Sequence, residues 1–353
     1  MSARDQIAVI LARWGGRPTL LAIAVMNVIT GVGLGAIIAG ANFGADSGLY
    51  RQCAVLLAEG QTEFCGFLYS PLMALAARPL TLLPATAAQA TMSLIGAAVL
   101  VVGVSLDTRG RAVIDRVLVG IAALTFAPVV YELLLGQTTL LIAATLYPIA
   151  RRSDGYRNGI AFGVALALAP KPLLLPVLVW MLVWRRRALA GTVLTALVLT
   201  GLGVLLIGIE QYRAWLTVLT GAGRETVAGT FILSSRNVGN FSMWPITPLT
   251  FVVMVMVVVA TLWTIRRDET RGFVASLFAG LLLAPYSLLY AFSILLLAVR
   301  PALTFAPRTT RGLALVGNLG SLLPLMLTGW SAVGFVWSLE RSVKAAPRAS
   351  EGL

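Results

Sequence analysis

The chain has 353 residues, 58% of them hydrophobic and 12% charged, and a mean hydropathy of +0.89, far above that of a water-soluble domain of this size. Histidine is absent and there are two cysteines, which excludes histidine bases, haem ligation and the usual Zn2+ sites; no Walker-type glycine loop suggests ATP-driven transport. The net charge of +13 falls in short arginine clusters between apolar spans, the positive-inside pattern of a membrane protein, and no nucleic-acid partner is expected.

Apolar runs of about twenty residues recur along the chain, and in lipid only helices or closed barrels satisfy the backbone. The runs do not alternate polar with apolar as barrel strands do. The expected fold is therefore an all-α polytopic integral membrane protein, a single domain over 1–353. The first run, 19–41, follows Arg4, Arg13 and Arg17, is long for a signal-peptide core and has no convincing cleavage site after it, so a retained helix is expected. With the N-terminus inside, Arg109/Arg111/Arg116, Arg151/Arg152/Arg157, Arg185/Arg186/Arg187, Arg266/Arg267/Arg271, Arg300/Arg308/Arg311 and Arg341/Lys344/Arg348 mark cytoplasmic turns.

Helices are predicted at 19–41, 85–105, 117–133, 138–150, 158–169, 173–184, 189–208, 247–265, 272–285 and 288–299, with 312–338 as two short spans broken near Gly329. That gives about 10 to 12 transmembrane helices. Several are shorter than the roughly 20 residues of a perpendicular crossing, and Pro170, Pro172 and Pro285 interrupt them. Short broken helices of this kind line cavities open to water. Two outer segments are long, 42–84 and about 209–246, and "YSPLMALAARPLTLLP" at the end of the first is expected at the outer interface or re-entrant.

Sorting the acids by side puts Asp46, Glu59, Glu63, Glu132, Glu210 and Glu225 on the outer face. Asp107, Asp115, Asp154, Asp268 and Glu269 sit among arginines as solvated ion partners. Asp46 stands closest to a helix end. Its position alone fits the N-cap of the next short helix; the alternative is a catalytic base held at the membrane surface.

Lys171, one of two lysines, lies between Pro170 and Pro172 at the end of an outward span. An intramembrane cation there marks a functional site unless it merely snorkels, and a lipid-carrier phosphate is its expected anionic partner. Gly136-Gln137-Thr138 forms a tight outer turn after Tyr131 and Glu132. Arg224, Arg236 and Asn237 can bind phosphate or sugar, or simply be solvated. Cys53 and Cys65 fall in the first outer segment, where a disulfide and two buried thiols are both open.

In chain order, "ADSGLY", "FLYSPLMALAARPLTLLP", "YELLLGQTTLLIAATL", "GIAFGVALALAPKPLLLPVLVWMLVWRRRALAG", "GIEQYRAW" and "LLLAPYSLLYAFSIL" resemble the polyprenyl-phosphate-sugar-dependent glycosyltransferases of family 87, which have the GT-C fold. The resemblance covers about 40–300. The family's Asp followed by Tyr, Tyr-x-Pro-Pro element, Gly-Gln turn, Lys-Pro and late Pro-Tyr correspond to Asp46 and Tyr50, Tyr69 and Pro71, Gly136 and Gln137, Lys171 and Pro172, and Pro285 and Tyr286. Two departures stand out: one proline in Ser70-Pro71, and Ala291 after Tyr290 where many relatives have Asp.

The resemblance implies transfer of a sugar, with mannose favoured, from a polyprenyl-phosphate donor to a lipid- or glycan-linked acceptor. It also implies a bacterial plasma membrane, with membrane lipids as surroundings and the site facing outside. Asp46 would be the general base of one inverting displacement. Lys171, with Arg236, would stabilise the departing phosphate, and Gln137, Tyr50, Tyr69 and Tyr286 would position sugar or carrier. No cofactor or metal is implied, because an Asp base and a lipid monophosphate leaving group need neither. The rival from another class is a transporter or flippase for an amphipathic anion, which would be expected to show two related halves; no internal repeat occurs.

Overall fold

The structure, a computed structural model, describes residues 17–41, 43–60, 69–151, 154–220, 248–284 and 289–298, and every regular element among them is helical. In chain order these are α1 (Arg17–Ala41), α2 (Ala45–Ala58), α3 (Pro71–Ala76), α4 (Arg78–Thr81), α5 (Ala85–Asp107), α6 (Val113–Leu124) and α7 (Ala127–Leu135). There follow α8 (Thr139–Arg151), α9 (Tyr156–Leu168), a 3-10 turn (Pro172–Leu174), α10 (Leu175–Trp184), α11 (Arg186–Ile207), α12 (Ile209–Thr220), α13 (Pro248–Arg267), α14 (Glu269–Leu283) and a second 3-10 stretch (Leu289–Leu295). Among the described residues α5 and α11 are long and apolar enough to cross a membrane, and α6 with α7 makes a third if the bent pair is one span. Shorter apolar helices cover Leu20–Gly33, Thr139–Arg151 and Pro172–Trp184. The protein is a helical membrane protein.

The segments 42–84 and 209–246 contain helices rather than open loop. Of the first, α3 and α4 have six and four residues, too short to cross. The expected spans over 312–338 lie outside the described residues, as do Pro285, Glu63 and Glu225. Glu59 is exposed, and Glu210 is an exposed ion partner of Arg213 at 2.6 Å.

Packing divides the chain into two compact units, one of Met1–Ile37, Leu100–Tyr131 and Asn237–Leu353, the other of Ile38–Val99 and Glu132–Arg236. In the first, the sequence predicts one helix over 117–133, whereas α6 and α7 are separate and bent by 59°. Pro128 explains the break: it suits the first turn of a new helix and disfavours helical geometry just before it. The Ala122 carbonyl, left without its usual i+4 donor, accepts from Asn27 Nδ2 of α1 at 2.7 Å. A Cβ on Gly31 would lie 2.3 Å from the Thr125 carbonyl oxygen, so a glycine lets α1 close on the break.

In the second unit α9 and α11 meet backbone to backbone. A Cβ on Gly159 would come within 1.9 Å of the Ala188 carbonyl oxygen, one on Gly163 within 2.5 Å of that of Thr192, and one on Gly191 within 2.5 Å of that of Tyr156. Thr192 Oγ1 donates to the Gly159 carbonyl at 3.1 Å. This is the small-residue packing by which membrane helices approach closely. Gly159→Ala is expected to cost about 1–3 kcal/mol through overpacking, lowering the melting temperature of the detergent-solubilised protein. Gly33→Ala, which would meet nothing within 4 Å, should leave it unchanged or slightly higher.

Two acids expected as solvated ion partners cap helices, and Asp268 is an ion partner as well. Asp154 Oδ1 accepts from Ala188 N at 2.9 Å near the start of α11. Asp268 is the N-cap of α14, accepting from Arg271 N at 2.8 Å, with the Arg271 guanidinium 3.6 Å away. Orphan amides at a helix start are the stronger local demand. Three helices end in an arginine over an aromatic ring of the preceding turn: Arg151 over Tyr147 at 5.8 Å, Arg185 over Trp180 at 5.5 Å and Arg267 over Trp263 at 4.1 Å.

Candidate active site

One polar cluster lies wholly within the unit of Ile38–Val99 and Glu132–Arg236. Its frame is the turn between α7 and α8. Gly136 there has φ 77°, and a Cβ would lie 2.6 Å from Gln89 Oε1 and 2.9 Å from Ser47 Cβ, so both conformation and space demand glycine. Three of the last carbonyls of α7, those of Glu132, Leu133 and Leu134, find donors, as a buried helix end requires. That of Glu132 accepts from Gly136 N and Gln137 N, each at 3.0 Å. That of Leu133 accepts from Gln89 Nε2 at 2.8 Å and Ser93 Oγ at 2.7 Å. That of Leu134 accepts from Gln89 Nε2 at 2.9 Å and Gly44 N at 2.8 Å. These bonds fix Gln137 and bring the start of α2 to it.

Gly44, with φ 71°, is the N-cap of α2, and Asp46 sits in the first turn. The capping reading of Asp46 is therefore corrected: the Gly44–Leu134 bond sets where the helix begins, and the Asp46 carboxylate is turned away to accept from Gln137 Nε2. Gln137 Oε1 in turn accepts from the hydroxyls of Tyr69 and Tyr50, the latter at 3.4 Å. The two tyrosine rings meet edge to face, 5.6 Å apart at 69°.

Tyr69 is pinned through its neighbour. Ser70 Oγ donates to the Ala167 carbonyl at 2.5 Å and the Leu168 carbonyl at 3.2 Å, and Ser70 N donates to Leu168 at 3.2 Å, closing the end of α9. Just beyond, Lys171 is extended (φ −109°, ψ 120°), as a residue before proline prefers. Its side chain is buried; Nζ donates to Thr139 Oγ1 at 2.9 Å and lies 5.4 Å from the Tyr69 ring centroid. Glu132, expected among the outer-face acids, is buried, accepts from Leu140 N at the start of α8, and lends its charge to Lys171.

Asp46 lies outside the spanning helices. Burial pushes its carboxyl up from the ordinary 3.8 to about 6, against the Gln137 hydrogen bond and the Lys171 charge, which pull it down. A half-buried carboxylate near that value can accept a proton at neutral pH. On the same helix Cys53 is buried and disulfide-bonded; Cys65 lies outside the described residues.

The structure thus gathers Asp46, Tyr50, Tyr69, Gln137 and Lys171. Arg236 and Tyr286 lie outside the described residues. Sequence reasoning passed over Ser47, Ser70, Gln89 and Thr139. Gln89 carried the clearest signal, a large amide in a long apolar helix, where a polar group must find a partner.

Short apolar helices that bring a half-buried carboxylate and a buried ammonium into one polar cluster define a helical membrane protein with a candidate site of opposite charges. Residues 67–291 match the model of glycosyltransferase family 87, well over half the chain, and the protein belongs to that family. It is a glycosyltransferase, acting on a sugar donor and an acceptor. Tyr69, Gln137 and Lys171 fall inside the matched stretch; Asp46 and Tyr50 precede it. No curated protein and no solved structure matches the chain.

Proposed function

We propose that the protein transfers a hexose, with mannose favoured, from a polyprenyl-phosphate donor to a lipid- or glycan-linked acceptor. In this reading it has a GT-C-like fold of about 10 to 12 spans and sits in a bacterial plasma membrane with its site facing outside. The observation that carries the reading is a carboxylate and an ammonium in one polar cluster, joined through Gln137 and Tyr69, with Lys171 Nζ 5.4 Å from the Tyr69 ring.

The acceptor hydroxyl oxygen attacks C1 of the sugar from the face opposite the phosphate. Its proton passes to Asp46, the bond from C1 to the phosphate oxygen breaks, and polyprenyl phosphate leaves with the electron pair, so the anomeric configuration inverts. Lys171 offsets the charge that develops on that phosphate. Tyr50, Tyr69, Arg236 and Tyr286 are assigned to the same substrates.

Detergent-purified protein supplied with polyprenyl-phosphate mannose and a lipid acceptor fraction should release one polyprenyl phosphate per sugar transferred, with or without EDTA. Transfer from a nucleotide sugar but not from the lipid donor would overturn the donor assignment.

A further inference from the structure

The amide of Gln137 is held from both sides. Its oxygen accepts from two tyrosine hydroxyls, Tyr50 on α2 and Tyr69 before α3, so its nitrogen is the end turned to Asp46. A third group, Thr138 Oγ1, reaches the Tyr69 hydroxyl at 3.4 Å. Asp46 Oδ2 is the oxygen that receives the amide; Oδ1 accepts no hydrogen bond among the described residues. One oxygen is anchored and the other is left to the reaction.

We infer that Gln137 is a positioning residue for Asp46 rather than a sugar ligand, and that the Tyr50 and Tyr69 hydroxyls act by locking its amide in the donating orientation. This rests on the reading of Asp46 as the base. The physical reason is the two-faced character of an amide. Donating N–H, it stabilises the carboxylate; flipped, it would set a carbonyl oxygen against it and favour the protonated form. Two phenol donors on the carbonyl make the flip costly, since both would lose their acceptor.

Among the described residues, the charged groups acting on Asp46 are few. Lys171 acts on it from the turn after α9, and Glu132 on α7 acts on Lys171. Arg51 on α2 is directed away, donating to the carbonyls of Leu80 at 3.0 Å and Leu83 at 2.7 Å. Burial and Gln137 are the larger influences on Asp46, with Lys171 third.

The test is the pH dependence of transfer in Gln137→Glu, near-isosteric, and in the double variant Tyr50→Phe/Tyr69→Phe, which removes only the locking hydroxyls. In Gln137→Glu two carboxylates share one proton, and the acid limb of kcat/KM should rise by about one pH unit or more. The tyrosine pair should shift the limb the same way by about half a unit, with kcat falling more than KM rises. A rise in KM for the donor with an unmoved acid limb in both variants would make Gln137 a substrate ligand and overturn the inference. Infrared difference spectra of the carboxyl stretch, referenced to Asp46→Asn, follow the Asp46 proton without catalysis. A shift there in a protein whose transfer survives Asp46→Asn would keep the positioning role and sink the base; no shift in either variant would sink the positioning role itself.

Discussion

Asp46→Asn should lose at least about a hundredfold in sugar transfer while melting at the same temperature as the wild type, or higher, at pH 7. The asparagine has the carboxylate's shape and still offers an oxygen to Gln137 Nε2, so the link from α2 to the α7–α8 turn survives. What disappears is the proton acceptor and its charge. The sign of the stability effect follows from the raised pKa of Asp46, about 6 against 3.8. A carboxyl that binds its proton more tightly when folded favours the fold fully below about 3.8 and loses that contribution as pH rises through about 6. At neutral pH the ionised carboxylate weighs against folding, and the amide relieves it. Wild-type transfer should correspondingly fall as pH drops through about 6. Undiminished transfer by the variant would return Asp46 to a structural role, whereas loss of transfer together with a lower melting temperature would show damage to the fold.

Lys171→Met should fail twice, in folding and in transfer. Lys171 and Glu132 are both buried and their charges act on each other, and taking the cation away removes that compensation from a buried carboxylate, a cost of about 3–5 kcal/mol. Adding Glu132→Gln removes that charge while keeping an oxygen for Leu140 N, so the double variant should regain most of its thermal stability. It should not regain transfer, because loss of one charge-stabilising donor costs about 10²–10³ in rate. The double variant also lacks the charge that pulls the Asp46 proton off, so any residual activity should show its acid limb at higher pH. Recovery of transfer along with stability would reduce Lys171 to a counter-ion for Glu132.

The legible part of this molecule was what local chemistry dictates. The Gly136-Gln137 turn, the extended backbone at Lys171 before Pro172 and the short apolar helices on either side all follow from glycine, proline and hydropathy. The illegible part was set by partners far along the chain. Asp46 reads as an N-cap until Gly44 N is drawn to the Leu134 carbonyl, 90 residues on. Glu132 reads as an exposed acid until the fold places the orphan amide of Leu140 against it. The break between Leu124 and Ala127 hides in an unbroken apolar run, because Pro128 is as acceptable in a first helical turn as it is disruptive later in a helix. Ser93, which helps finish the end of α7, carries no motif at all, and Gln89 carries only the anomaly of an amide in an apolar helix.

The helices that start at the cluster are short, and their far ends are marked. From Thr139 to Arg151 there are 13 residues, about 20 Å of helix, and the run from Pro172 to Trp184 is of similar length before Arg185. Each closes on an arginine over an aromatic ring, the sort of anchor that stays at the head-group level. A hydrocarbon layer is about 30 Å thick. With those anchors at one face, the ammonium of Lys171 is short of the other by about 10 Å. On the proposed reading of a lipid-phosphate donor, either that phosphate dips below its neighbours' head groups to reach Lys171, or the bilayer pinches around it. In the second case the thickness of the surrounding membrane becomes a control on turnover: thin-bilayer nanodiscs would favour the enzyme over thick ones with no change in any residue.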